Sequence, residues 1–326
     1  MRLTVPGRIA YAAGFIILSF FTLTLYSFGF YESLDKAFLP ALTAALWMAG
    51  FIIESVRELG ASRLQGGIFF ELDLKEDFLS LISVFGGSLA AYYVNTGFGL
   101  GSVTASALTG ILAAVFIKPY AAAVYCGSFA GMASPEFLGS TCMIYAGIIS
   151  GVVYVMCKNI FNGFGGKLGT VAFAGCIFAS LITGSTLLGS AVPGWNTGII
   201  LIVYSAAGAV ITFHLNVRAG YGPVLASGIT GIAAGLLLPA VHGQAAGSMY
   251  ALGVFSASFA GMSSKERFSS AALMVPAGII CGLIIIFTSP YMGGAGGKLG
   301  TAAFGSVIGL NGLRTAVSRL SNICKA

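Results

Sequence analysis

Charged side chains are scarce in this chain. They make up 8% of its 326 residues, with 16 basic and 10 acidic side chains, whereas a soluble domain is about 25% charged. So few charges cannot cover the surface of a water-soluble fold, and an ordinary globular protein is therefore excluded. We attribute the net charge of +6 to membrane topology and attraction to anionic lipid, and we expect no nucleic-acid partner.

Catalytic and metal-binding groups are also few. The two histidines, His214 and His242, are far from any second metal ligand in sequence, and the six cysteines are scattered without a CxxC pair. No combination of serine, histidine and acid suggests hydrolysis. We therefore expect no metal site, no cofactor and no enzymatic activity.

Apolar segments, by contrast, fill the chain. Hydrophobic residues make up 57% of it, and apolar runs of about 20 residues, enough for a helix to cross about 30 Å of hydrocarbon, recur throughout. The runs do not alternate with polar residues, which favours helices over a barrel. The pattern predicts an all-α polytopic membrane protein with about 12 membrane segments, at residues 9–31, 37–53, 78–96, 100–117, 119–134, 137–157, 170–190, 197–214, 222–240, 245–262, 269–289 and 301–320.

The distribution of basic residues predicts how these segments are oriented. With a cytoplasmic N-terminus, 14 Lys and Arg residues fall on the cytoplasmic side and two, Lys36 and Lys298, on the other side, as the positive-inside rule requires. We therefore predict cytoplasmic N- and C-termini in a multi-pass protein of the cell membrane, with a bacterial inner membrane favoured. The polar stretch 54–77 is expected to be a surface loop or an interfacial helix.

An internal duplication is the most informative feature of the sequence. Residues 128–136 (SFAGMASPE) and 258–266 (SFAGMSSKE) are identical at seven of nine positions. Residues 163–173 (GFGGKLGTVAF) and 294–304 (GAGGKLGTAAF) are identical at nine of eleven positions. The chain therefore contains two related copies of one unit.

Each copy contains five predicted segments. Because five is odd, the copies are predicted to face opposite ways across the membrane. The chain then divides into two N-terminal helices with a loop (1–77), a first repeat (78–190) and a second, inverted repeat (191–326). Inverted repeats are typical of transporters, whose substrate site lies near the middle of the membrane where the repeats meet.

The GGKLGT segment lies between two apolar segments in each copy. Its glycines are expected to unwind the backbone and its threonines to cap the helix that follows. If the segments re-enter the membrane, each lysine lies beside a helix N-terminus, a combination that suits an anion. The alternative is a short surface loop with one lysine reaching the headgroups. The residues concerned are Gly165, Gly166, Lys167 and Thr170 in the first copy and Gly296, Gly297, Lys298 and Thr301 in the second.

The SFAGM segments lie in short apolar segments, which also point to a transport site. Ser128 and Ser258 could offer hydroxyls to a solute, and Phe129 and Phe259 could narrow a pore. The alternative is an ordinary packing face of small residues.

Glu136 and Glu266 are the only acidic residues beyond residue 80, and they occupy matching positions in the two copies. One interpretation makes them gating or mouth residues at opposite ends of a pathway. The other makes each of them a carboxylate at the N-terminus of the following helix.

Together these features predict a channel or secondary transporter for a small solute, with a small anion favoured because of the two lysines. A neutral-solute channel is an alternative, since two inverted halves of five helices resemble the general plan of bacterial urea transporters, without a shared motif. A non-transporting membrane subunit is a third possibility. The expected partners are a small-molecule or ion substrate and membrane lipid, and a homo-oligomer is left open.

Overall fold

The computed structural model describes residues 2–4, 7–64 and 71–323. Two short strands, β1 (Arg2–Thr4) and β2 (Glu71–Asp73), pair antiparallel. Each predicted membrane segment contains one α-helix. Within the described residues these helices are α1 (Gly7–Leu34), α2 (Phe38–Leu64), α3 (Leu74–Phe98), α4 (Ser102–Phe116), α5 (Ala121–Ala130), α6 (Ser140–Cys157), α7 (Lys167–Thr183), α8 (Trp195–Phe213), α9 (Pro223–His242), α10 (Gln244–Gly261), α11 (Met274–Phe287) and α12 (Lys298–Ile323).

Several of these helices have the length and composition of membrane spans. In the part of the chain that the structure describes, α1, α2, α3, α6, α8 and α9 provide six helices that are long and apolar enough to cross a membrane. Helices α4, α7 and α11 are apolar but shorter. Helix α5 has 10 residues and, at 1.5 Å per residue, is too short to cross the hydrocarbon alone. The chain is therefore a helical membrane protein, as its composition predicts.

The prediction of a surface loop or interfacial helix at 54–77 is wrong for residues 54–64, because they continue α2 to Leu64. Its polar residues have partners within α2 and elsewhere in the fold: Glu54 is fully buried and pairs with Arg57 of the same helix at 3.2 Å, and Arg57 donates to the Thr315 hydroxyl of α12 at 3.1 Å. Residues 65–70 of this stretch lie outside the described residues. The polar residues extend α2 because they pair with other parts of the protein.

One group of helix ends is joined by contacts near the N-terminus. Strand β1 pairs with β2 just before α3. Lys158, which follows α6, pairs with Asp77 of α3 at 2.8 Å. The connection after α10 binds the connection after α6, because the Ser264 N–H donates to the Gly163 carbonyl at 2.9 Å. We call this side of the molecule the N-terminal face.

A second group of helix ends meets on the other side of the molecule. After α5, the Ser134 N–H donates to the carbonyl of Gly294, which precedes α12, at 2.8 Å. The Tyr291 hydroxyl donates to Glu32 at the end of α1 at 2.7 Å. We call this side the opposite face.

Helices α1 and α2 pack against the last helix of the chain. A Cβ atom added at Gly312 of α12 would lie 1.8 Å from the Gly50 carbonyl oxygen of α2, so only glycine allows this approach. The Tyr26 hydroxyl of α1 donates to the Ala302 carbonyl of α12 at 2.9 Å. The two N-terminal helices are thereby fixed to the half of the chain that follows residue 191.

Candidate functional site

The two GGKLGT segments meet at the crossing of α7 and α12. A Cβ atom added at Gly169 would lie 2.5 Å from the Gly300 Cα, and one added at Gly300 would lie 2.5 Å from the Gly169 Cα. A side chain of any size at either position would separate the helices. These matching glycines therefore allow the first turns of α7 and α12 to touch backbone to backbone.

The connections that lead into these helices have the same backbone conformation. Gly166 and Gly297, which precede the lysines, have φ values of +83° and +84°. Phe161 and Met292, at matching positions further upstream, have φ values of +49° and +52°, which are unusual for residues other than glycine. The predicted unwinding at the glycines is thus present before each helix.

Both lysines bind the carbonyl end of the helix that precedes them. The Lys167 ammonium donates to the carbonyls of Cys157 and Ile160, at 3.3 and 2.9 Å, and to the Asn162 side-chain oxygen at 2.9 Å. The Lys298 ammonium donates to the carbonyls of Thr288 and Tyr291, both at 2.6 Å. Each positive charge therefore stabilises a helix C-terminus, where unpaired carbonyls concentrate negative potential.

The threonines do not cap helices, and that prediction is wrong. The N-cap of α7 is Gly166, and Thr170 lies inside the helix with its buried hydroxyl unpaired among the described residues. The Thr301 hydroxyl donates to the Gly297 carbonyl four residues earlier at 3.3 Å. Each helix begins at its lysine, so the threonine falls one turn too late to act as a cap.

An aromatic cluster lies beside the GGKLGT crossing. The ring centroids of Phe129 and Phe259 are 4.4 Å apart, and Tyr125 and Phe255 lie against them at 4.4 and 4.6 Å respectively. All four side chains are buried. The two matching phenylalanines thus contact each other, one from each copy, in the buried interior.

A cavity of about 330 Å³ is lined in part by Phe129 and Phe259. It lies between the two copies and is lined by residues from the connections of the opposite face. Its polar lining comes from hydroxyl groups, from the backbone before α12 and from one lysine. The lining residues include Ser102, Ser134, Ser190, Thr288, Ser289, Gly293, Gly296, Gly297, Lys298, Leu299, Phe129 and Phe259.

The cavity contains only part of the predicted site. Its lining includes Gly296, Gly297 and Lys298 of the second copy and both phenylalanines. It does not include the first-copy residues Gly165, Gly166, Lys167 and Thr170, nor Thr301, Ser128 or Ser258. The two copies therefore differ in what they present to the cavity, although their sequences match.

Ser128 and Ser258 lie in buried hydroxyl pairs outside the cavity lining. Ser128 bonds Ser106 at 2.8 Å, and Ser258 bonds Ser227 at 2.7 Å. The Tyr125 hydroxyl joins the second pair through Ser227 at 2.9 Å. The sequence did not indicate these three hydrogen bonds, because the two residues of each pair are 22 to 102 positions apart.

Glu136 and Glu266 are exposed on the turns that follow α5 and α10. Helix α6 begins only at Ser140, with Gly139 as its N-cap, so Glu136 does not cap it. A hydrogen bond from Ser264 is the largest of the effects that lower the pKa of Glu266. Glu136 lies close to Ser134, which lines the cavity, and Glu266 lies close to Ser264, which binds the Gly163 carbonyl. Neither glutamate lines the cavity itself.

Comparisons of the chain with protein-family models, with curated proteins and with solved structures found no match.

Proposed function

We propose that this protein is a channel or secondary transporter for a small solute, with its pathway between two inverted repeats. The observation that carries the proposal is the cavity that lies between the two copies and is lined in part by Phe129 and Phe259. Its volume of about 330 Å³ is at the lower end of the range for ligand pockets, roughly 300–1,000 Å³. A small solute is therefore the expected substrate.

Contacts that occur twice support the inversion. The Ser134 N–H binds the Gly294 carbonyl on the opposite face, and the matching Ser264 N–H binds the Gly163 carbonyl on the N-terminal face. Helix α3 begins on the N-terminal face, whereas its counterpart α8 begins on the opposite face. A two-fold axis in the membrane plane would relate both observations.

Two apolar grooves on the outside of the molecule repeat in the same way. One, of about 460 Å³, is lined by residues that include Ser83, Gly86, Leu112 and Phe116. The other, of about 280 Å³, is lined by the matching residues Tyr204, Ala207, Ala233 and Leu237, each 121 positions later. Both grooves lie against the first three helices of a copy, so the copies share their internal packing.

A small anion is the substrate class that we favour. Lys298 is the one charged side chain in the lining of the cavity, which contains no carboxylate within the described residues. An ammonium has three hydrogens, and two carbonyls of the described chain bind Lys298, so one N–H remains for a solute. A charge-assisted bond of this kind is worth roughly 1.5–3 kcal/mol.

A neutral solute is the second candidate, and the bonding of the lysines favours it. Lys167 has its acceptors within the protein and is absent from the cavity lining. If Lys298 acts in the same way, both lysines serve only to hold the connections in place. The hydroxyls and glycine backbone of the cavity would then bind the solute by uncharged hydrogen bonds.

Flux measurements in proteoliposomes distinguish these candidates. The matched pair of variants is Lys298→Gln and Lys167→Gln, because an amide still donates to carbonyls but carries no charge. For an anion pathway we expect formate or nitrate flux to fall about 10- to 100-fold in Lys298→Gln and to change much less in Lys167→Gln. Equal anion flux in Lys298→Gln and wild type would exclude the anion.

Urea and glycerol flux in the same vesicles tests the neutral solute. If all these fluxes equal those of empty vesicles, the transport proposal fails and a membrane subunit with a co-purifying partner becomes the better account. The orientation has its own test: a cysteine replacing Lys265 should react from the cytoplasmic side, and one replacing Lys36 from outside. This is the arrangement expected for a bacterial inner membrane with cytoplasmic termini.

A further inference from the structure

We propose that Arg267 locks the pathway shut at the N-terminal face by joining three parts of the chain: α2, the connection after α6 and the connection after α10. This inference rests on the proposed function, since a lock has meaning only if a pathway exists. It assigns a gating role to α2, which lies outside the duplicated region.

Arg267 holds the three parts together through its guanidinium. Its Nη1 lies 2.6 Å from a Glu58 carboxylate oxygen and 3.8 Å from one of Glu54, both on α2. Its Nε donates to the Asn162 carbonyl, in the connection that precedes α7, at 2.9 Å. The guanidinium also lies 4.3 Å from the centroid of the Phe164 ring, a cation–π contact.

The same connection is held from the other side by Lys167. Its ammonium donates to the Asn162 side-chain oxygen at 2.9 Å, so Asn162 binds Lys167 through its side chain and Arg267 through its carbonyl. Phe164 in turn lies edge-on to Phe268, with ring centroids 6.3 Å apart. This face of the junction is thus filled by large and charged side chains.

The matching positions on the opposite face carry no such group. In the second copy the counterparts of Asn162 and Phe164 are Gly293 and Ala295, and both line the cavity. The counterpart of Arg267 in the first copy is Phe137. The cavity is open beside Gly293 and Ala295 because both residues are small. The difference between the two faces therefore follows from a few side chains.

The charges of the lock allow it to open. Glu54 is fully buried and therefore needs a positive partner at all times. Arg57 pairs with it at 3.2 Å, so Glu54 keeps a partner when Arg267 leaves. Glu58, with 17% of its side chain exposed, and Arg267, with 21%, can return to water. Opening therefore leaves the Glu54 carboxylate one cationic partner, Arg57.

Labelling of one introduced cysteine tests the lock. Leu299 lines the cavity, and its counterpart on the N-terminal side is Leu168; both side chains are partly buried. The full chain with Leu168→Cys or Leu299→Cys is labelled by a polar maleimide in detergent, where both faces are accessible. Each rate is corrected with the parent chain, whose described cysteines are buried or partly buried.

With the lock intact, we expect Leu168→Cys to react slowly and Leu299→Cys to react fast. Arg267→Gln should raise the rate at Leu168→Cys by about fivefold or more, in the range of coupling between sites. The charge exchange Arg267→Glu with Glu58→Arg should restore slow labelling. Lys265→Gln, at an exposed position on the same turn, is the control and should change neither rate.

A folded Arg267→Gln protein with an unchanged Leu168→Cys rate would overturn the lock. If that variant does not fold, Glu58→Gln, which removes one of two carboxylates and leaves the guanidinium in place, gives the same test. Flux separates this inference from the proposed function: faster labelling in the absence of any flux keeps Arg267 as a barrier to the reagent but rejects both transport and a gating role, whereas flux with unchanged labelling rejects the lock alone.

Discussion

The crossing of α7 and α12 provides the sharpest test of the architecture. Gly169→Ala would place a methyl group 2.5 Å from the Gly300 Cα, far inside van der Waals contact, and the neighbour is backbone that cannot rotate away. Overpacking of this kind typically costs about 1–3 kcal/mol. The helical preference of alanine over glycine, about 1 kcal/mol, offsets part of this cost, so we expect a net loss of stability of up to about 2 kcal/mol.

Gly86→Ala is the matched control. Gly86 also lies in a helix interior, but a Cβ atom added there meets nothing within 4 Å. The higher helix propensity of alanine over glycine then acts alone. The variant should therefore be as stable as wild type or more stable by up to about 1 kcal/mol. The two variants make the same chemical change and should differ in sign.

Thermal unfolding in detergent measures this difference. At roughly 2–4 °C per kcal/mol, Gly169→Ala should lower Tm by up to about 8 °C, whereas Gly86→Ala should not lower it. Gly169→Ala with Gly300→Ala should cost less than the sum of the single variants, because the first methyl already spreads the crossing. If Gly169→Ala and Gly86→Ala have equal Tm values, the two helices do not meet as closely as described.

Three further predictions concern the groups around the cavity. Phe129→Leu or Phe259→Leu removes part of the ring contact at 4.4 Å and should raise the leak of small solutes in vesicle-swelling assays; a leak equal to wild type would contradict a closing role. Lys167→Gln should lower Tm, because weaker bonds to the carbonyls cost about 1–3 kcal/mol of folding stability. A lower flux with an unchanged Tm would contradict a structural role. Ser227→Ala should cost about 1–3 kcal/mol by depriving the buried Tyr125 hydroxyl of its partner; adding Tyr125→Phe should recover part of the loss of Tm, and no recovery would contradict this account.

Much of the fold could be predicted from the chain without its structure. Every predicted membrane segment contains a helix, because continuous apolar runs in lipid leave the backbone no other way to satisfy its hydrogen bonds. The matches at 163–173 and 294–304 also pointed to the two segments that meet at the crossing. The end of α2 was missed, because the burial of Glu54 depends on Arg57 and Arg267, and Arg267 lies more than 200 residues later in the chain.

The chemistry of the site was harder to predict from the sequence. The identical GGKLGT segments suggested identical roles, yet Lys298 lines the cavity and Lys167 does not. What separates them is neighbours at matching positions that carry different residues: Asn162 and Phe164 fill one face, and Gly293 and Ala295 leave the other open. Likewise, the Ser128 and Ser258 hydroxyls form hydrogen bonds with serines of other helices and do not line the cavity.

The sequence by itself determined that this is a helical membrane protein with a duplicated unit, because hydrophobicity and self-similarity are properties of the residues in order along the chain. Tertiary structure alone decided which of two equal lysines faces a cavity, which hydroxyls are taken up by partners and where the arginine of one copy binds α2. Those outcomes depend on side chains that folding brings together from distant parts of the chain, and the spacing of residues along the sequence does not predict such contacts.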